Sequence, residues 1–135
     1  MITSALCNSY KSEILRGTHQ PGHNYKVALY AAKAELSKDT RSYTATGELI
    51  GGRGYTSGGI VLQGFNVSLN GDSAYLTFDN DAQWPNASFT CRGCLIYNAS
   101  LPGLNAVAVY DFGKEYGVTN MRFVLPFPKE LIGIK

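Results

Sequence analysis

Charge is scarce in this chain of 135 residues: Asp, Glu, Lys and Arg together make up 16% of it, and the net charge is +2. Nowhere do Lys and Arg cluster, which argues against the basic footprint of a duplex-binding or membrane-surface protein; neither nucleic acid nor membrane is expected as a partner. Long apolar runs are missing as well. None approaches the ~18 residues that a membrane-spanning helix requires. The opening "MITSALCNSYKSEIL" has neither a basic leader nor a continuous apolar stretch, so it is expected to be a helix rather than a targeting signal. Histidine occurs twice and cysteine three times. An odd cysteine count without a secretory leader predicts reduced thiols and folding in a cytoplasm.

What the chain does have is β-forming material. Hydrophobic residues make up 44%, and there are 15 glycines and 9 tyrosines, a composition that favours strands joined by tight turns. Ile2, Leu6, Tyr10 and Ile14 recur every fourth residue, which predicts an amphipathic helix over residues 1–16, ended by Gly17 and the "HQPGHN" stretch. In "YKVALYAAK", Tyr25, Val27 and Leu29 share one side of a strand. Residues 34–58 then form a long polar, Gly-rich loop, with a helical turn near Ser37–Arg41. After Gly59 the strands follow closely. "IVLQGFNVSL" and "SAYLTF" form a hairpin across Asn70-Gly71-Asp72, because Asn-Gly favours the left-handed turn conformations. "ASFTCRGCLIY", "NAVAVYDF" and "NMRFVLPF" come next, with turns at "NASLPGLN" and "GKEYGVT" and a short edge strand at "ELIGIK". The expected fold is mainly β: a single antiparallel β-sandwich or jelly-roll-like domain spanning 1–135, with a short N-terminal helix.

Motifs that could carry chemistry are few. Cys91 and Cys94 form a Cys-x-x-Cys within a strand. Three residues of extended chain separate the Cα atoms by roughly 10 Å, beyond the ~7 Å reach of a disulfide, and no helix follows to lower a thiol pKa. A bulge at Gly93 would change that parity. With His19 and His23 the pair could complete a tetrahedral zinc set, but the half-motifs stand in reversed order and far apart in sequence, so packing cysteines are the simpler reading. "GGRGYTSGG" lacks the Gly-Lys-Ser/Thr and the strand–helix context of a phosphate loop; left-handed turns account for its glycines. In "DNDAQW", Asp79 and Asp81 suggest calcium, yet Trp84 and Thr90 stand where a calcium loop wants Gly and Glu. Neither Gly-x-Ser-x-Gly nor His-Glu-x-x-His occurs. No metal, cofactor or catalytic set is expected. The sequons at Asn66, Asn86 and Asn98 reflect composition alone.

Four stretches taken together, "YKVALYAAKAEL", "TATGELIGGRGYTSGGIVLQG", "AYLTFDNDAQWPNASFTCRGCLIYN" and "AVAVYDFG", resemble a group of small structural proteins encoded in the head and tail gene block of tailed bacteriophages and prophages. The likeness runs from about residue 2 to 125. It rests on Gly47 to Gly59, Trp84 to Ser88, Arg92 to Tyr97 and Asp111 to Gly113; Cys91 and Cys94 stand where that group has small residues. The resemblance implies a non-enzymatic virion protein, assembled in the host cytoplasm. A capsid decoration (cement) protein on the major capsid protein, acting as a small homo-oligomer, is the leading form. A tail or head–tail component and a host-surface carbohydrate-binding module, its aromatic platform supplied by Tyr55, Trp84 and Tyr116, are the alternatives. Arg53, Tyr55 and Trp84 are the expected contact residues, since arginine and loop aromatics are favoured interface anchors.

Overall fold

The structure, a computed structural model, describes residues 1–78, 82–125 and 132–134. Among these the protein is mainly β, with two antiparallel sheets and one short helix in a β-sandwich-like arrangement. In chain order the elements are β1 (Ala5–Leu6), α1 (Asn8–Leu15), β2 (Tyr25–Tyr30), β3 (Ile60–Val61), β4 (Asn66–Asn70), β5 (Ser73–Thr77), β6 (Gln83–Asn98), β7 (Ala106–Val124) and β8 (Ile132–Ile134). The larger sheet has the order β1-β7-β6-β2-β3, and the smaller β4-β5-β8.

Composition explains the centre of the larger sheet. In "YKVALY", "LIYN" and "AVAV", aromatic, β-branched and small apolar residues follow one another without polar alternation, as in strands buried on both faces. Accordingly β2 pairs with β6 from Tyr25↔Asn98 to Tyr30↔Gly93, β6 pairs with β7 over the same stretch, and Ala106–Val109 are fully buried. The smaller sheet joins this core through Leu76 and Ile132. Tyr25 also meets Phe65 and Phe78, at ring-centroid separations of 5.6 and 5.8 Å.

The hairpin expected around Asn70-Gly71-Asp72 forms with Gly71 and Asp72 as its two turn residues, closing on Asn70↔Ser73. Gly71 takes φ 63° at the first turn position, where such hairpins call for glycine. Of the "ELIGIK" stretch, the described Ile132–Ile134 form β8 against β5.

Apart from "IVLQGFNVSL", which divides into β3 of the larger sheet and β4 of the smaller one, two expectations need correction. The helix covers Asn8–Leu15 rather than residues 1–16, because the segment before it joins the sheet. Ala5 and Leu6 pair with Val109 and Ala108, Cys7 N–H donates to Val107 O at 2.9 Å, and Ile2 bridges Leu36. Ile2 settles directly over Gly93, where a Cβ would lie 2.9 Å from its side chain. Sheet hydrogen bonds and this burial outweigh another turn or two of a short, marginal helix. The second correction concerns "GKEYGVT", which is not a turn between two strands. β7 runs through it as a bulge: from Gly93↔Asp111 to Cys91↔Tyr116, β7 advances five residues while β6 advances two. The surplus loops out beginning at Gly113, with φ 86°, and the strand rejoins the same ladder.

Candidate functional site

The Gly-rich loop is the most organised surface feature, and Glu48 is its hub. Tyr43 Oη donates to Glu48 Oε1, Tyr55 Oη donates to Glu48 Oε2, and the Gly58 N–H donates to Oε2 at 2.7 Å. Tyr55 Oη also accepts the buried Leu29 N–H at 3.0 Å, so one hydroxyl ties the carboxylate to the centre of β2. Two further phenols fasten the loop: Tyr97 Oη donates to Gly58 O and Tyr30 Oη to Thr44 O, each at 2.6 Å. Burial pushes the Tyr55 and Tyr43 hydroxyls well above the usual phenol range, and donation to Glu48 adds to the shift. Gly59 shows why the loop lies so flat. With φ 83°, its missing Cβ would sit 1.8 Å from Val27 O, a contact open only to glycine.

The outer end of the loop is a two-residue hairpin. Gly52 and Tyr55 exchange N–H···O bonds of 2.8 and 3.0 Å, while Arg53 (φ 55°) and Gly54 (φ 90°) occupy the turn. Both turn residues take positive φ, an arrangement that favours glycine or asparagine, so arginine there is strained. The turn is clamped onto β6 by Ser88 N–H donating to Arg53 O at 2.9 Å. Arg53 is exposed, and Ile50 beside it is 90% exposed. Together with Lys33 and Thr90 they border a concavity of about 460 Å³.

The three expected contact residues therefore separate. Arg53 stands at an exposed tip, but Tyr55 and Trp84 are each only 2% exposed. Tyr55 turns inward because its hydroxyl serves Glu48 and Leu29, and its ring joins an aromatic layer with Trp84, Phe89 and Phe123. Trp84 lies within that layer, its Nε1 buried without a hydrogen-bond partner among the described residues. The aromatic platform of Tyr55, Trp84 and Tyr116 is thus not a surface: two of its three rings are core, and Tyr116 is half-buried against Phe112 and Phe123.

Cys7, Cys91 and Cys94 are free and buried. The register shift between Cys91 and Gly93 has its surplus residues on β7, between Asp111 and Tyr116, and none at Gly93. Burial pushes the Cys7 and Cys91 thiols up to about 12 and Cys94 further still, which leaves them protonated and unreactive near neutral pH. The histidines converge on Asn98 instead of on the cysteines. Asn98 Nδ2 lies 3.0 Å from His19 Nδ1 and 2.8 Å from His23 Nδ1, while His19 Nε2 meets Glu13 Oε1 at 2.8 Å and Asn105 Nδ2 donates to Glu13 Oε2 at 2.8 Å. This network binds α1 and the 17–24 turn to the ends of β6 and β7. No group of three or more His, Cys, Asp or Glu side chains among the described residues is placed to hold a metal ion. Asp79 and Asp81 lie outside the described residues. Of the sequons, Asn66 and Asn86 are exposed and Asn98 is fully buried.

Arg92 and Asp111 lie diagonally across neighbouring strands, Asp111 being opposite Gly93. Arg92 Nε donates to Asp111 Oδ1 at 2.8 Å, and the Gly113 N–H donates to the same oxygen at 3.0 Å. The Arg92 hydrogen bond, then that of Gly113, hold the Asp111 carboxyl below its ordinary range. Sequence reasoning missed Glu48 and Asn98. Each has one faint signal, a carboxylate between Tyr43 and Tyr55 and a polar residue ending the apolar run Cys94–Tyr97. Among the described residues no helix is long and apolar enough to cross a membrane. Compared with models of protein families, with curated proteins and with solved structures, the chain matches none.

Proposed function

We propose that the protein is a non-enzymatic structural component of a bacteriophage virion: a capsid decoration protein that binds the major capsid protein and stabilises the head. The observation that carries this reading is the Arg53 hairpin. A strained arginine at an exposed tip, next to an almost fully exposed isoleucine, is held rigid by Glu48 on one side and Ser88 on the other. Local strain that the surroundings over-determine is a mark of a functional contact. A rigid anchor also loses little conformational entropy on docking. Repeated over a capsid lattice, one such modest contact per copy multiplies into a strong clamp against the outward push of packaged DNA. The family likeness of the Gly47 to Gly59 segment points the same way. The groups most able to do chemistry support a non-catalytic role: the thiols are closed off by burial, and Glu48 is surrounded by the donors it organises.

Particles assembled without the protein are expected to burst at lower temperature and under milder osmotic shock. Adding back the wild-type protein restores them, and adding back R53A/I50S does not. Particles that stay equally robust but fail to adsorb to the host would replace this reading with host binding, and particles unchanged in both respects would refute it.

A further inference from the structure

β4 is an edge strand of the smaller sheet, and among the described residues nothing pairs with its outer side. All five of its residues are exposed, Val67 by 58% and Leu69 by 79%. Native edge strands usually carry a charge, a proline or a bulge that blocks pairing with another chain. β4 has none of these. Its sequence is Asn-Val-Ser-Leu-Asn, and its ladder to β5 runs without a shift from Asn66↔Thr77 to Asn70↔Ser73.

That sequence has the same chemical character read in either direction. Antiparallel pairing with a second copy, about a two-fold axis at Ser68, sets Asn66 against Asn70, Val67 against Leu69, and Ser68 against Ser68 of the second copy. The backbone phase agrees. A two-residue turn closes on a hydrogen-bonded pair, here Asn70 and Ser73. By alternation Asn66, Ser68 and Asn70 direct their N–H and C=O groups toward β5, and Val67 and Leu69 direct theirs outward. The register at Ser68 therefore joins outward-facing residues to each other. An axis between two residues would oppose an outward-facing residue to an inward-facing one and form no ladder. An axis at Leu69 runs the partner onto Gly71 in the turn. One at Val67 requires Phe65, which lies outside β4 and its ladder.

The side chains fit as well. Val67 shares a sheet face with Leu76 and Ile132, the face that with Leu6, Tyr10 and Ile14 forms an apolar cavity of about 240 Å³. Pairing places Val67 and Leu69 of both copies in one apolar row along that face. We propose that two copies of this chain associate through β4, antiparallel and centred on Ser68, so that the two small sheets become one continuous sheet. Such an isologous contact is self-complementary and closes as a dimer. The pairing does not depend on where in a particle the protein sits.

Disulfide trapping and sedimentation equilibrium of the full chain test this. In the proposed register S68C cross-links to itself under mild oxidation, because a non-hydrogen-bonded antiparallel pair brings Cα atoms to about 4.5 Å, within disulfide reach. N66C, which faces Asn70, does not. The wild type sediments as a dimer or a multiple of dimers. V67K/L69K, which opposes lysines across the axis at exposed positions, loses that association while its far-UV circular dichroism stays that of the wild type, and V67K/L69E keeps it. A wild type that is monomeric throughout the micromolar range, an association that survives V67K/L69K, or equal cross-linking of S68C and N66C would overturn the proposal.

Discussion

Replacing Tyr55 with phenylalanine removes one oxygen atom and leaves the ring that packs between Trp84 and Phe89. That oxygen has two duties: it donates to Glu48 and it accepts the Leu29 N–H at 3.0 Å. Leu29 is fully buried, so Y55F leaves a backbone donor without a partner, at a cost of about 1–3 kcal/mol. Loss of a hydrogen bond to a carboxylate costs a further ~1.5–3 kcal/mol. The lower part of that range applies, because Glu48 is only half-buried and keeps Tyr43 and Gly58. The expected loss is about 3 kcal/mol. With a urea m-value of about 1.5–2 kcal/mol/M, the midpoint should fall by roughly 1.5–2 M at unchanged m. Y43F is the control. Tyr43 also donates to Glu48 but holds no buried backbone group, so its cost should be about 1.5 kcal/mol. Chemical unfolding monitored by Trp84 fluorescence measures both. A loss below about 0.5 kcal/mol for Y55F, or equal losses for the two variants, would refute the claim that this hydroxyl ties the loop to β2.

Three further outcomes follow from the same structure. Cys7 and Cys91 are raised to about 12, as are Tyr25 and Tyr97. Above the ordinary thiol and phenol values of ~8.5 and ~10, the unfolded chain releases protons that the native state retains. Stability is therefore fully present below about pH 8 and falls as pH rises, by about 1.4 kcal/mol per pH unit for each group in its window; equal urea midpoints at pH 8 and pH 10 would contradict this. None of the three thiols should react with a thiol reagent in the native protein at pH 8, and all three should react in urea; one fast-reacting thiol in the native state would show a cysteine misplaced. R53G should keep or raise the thermal midpoint, since glycine relieves a left-handed arginine, while weakening capsid association. A large fall in midpoint would show that Arg53 serves the fold rather than a contact.

The legible elements were those whose local pattern admits one structure. Gly71 in its two-residue turn and the apolar runs of β2 and β7 declared themselves, because a short hairpin loop and a strand buried on both faces leave few options. The N-terminal stripe was ambiguous. A spacing of four suits a helix, yet Ile2 and Leu6 meet the same core from a strand, and only the open edge of β7 and the bare surface over Gly93 decide between them. The "GKEYGVT" bulge resembles a turn in sequence because both need Gly113 at positive φ; what differs is whether the chain rejoins the same ladder, a long-range fact. The candidate site was half legible. The exposed turn at Arg53 could be read from the glycines that flank it. Tyr55 and Trp84 could not be placed, because whether a loop aromatic faces out or in depends here on Glu48, seven residues from Tyr55, gathering the hydroxyls around it.

The most direct test of the central claim is the copy number of this protein in purified virions, measured by quantitative mass spectrometry against the major capsid protein. A decoration protein is expected in fixed proportion to the capsid lattice, with copies in the hundreds per particle. A dozen copies or fewer would move the protein to the portal or tail, and its absence from the particle would contradict the structural reading altogether.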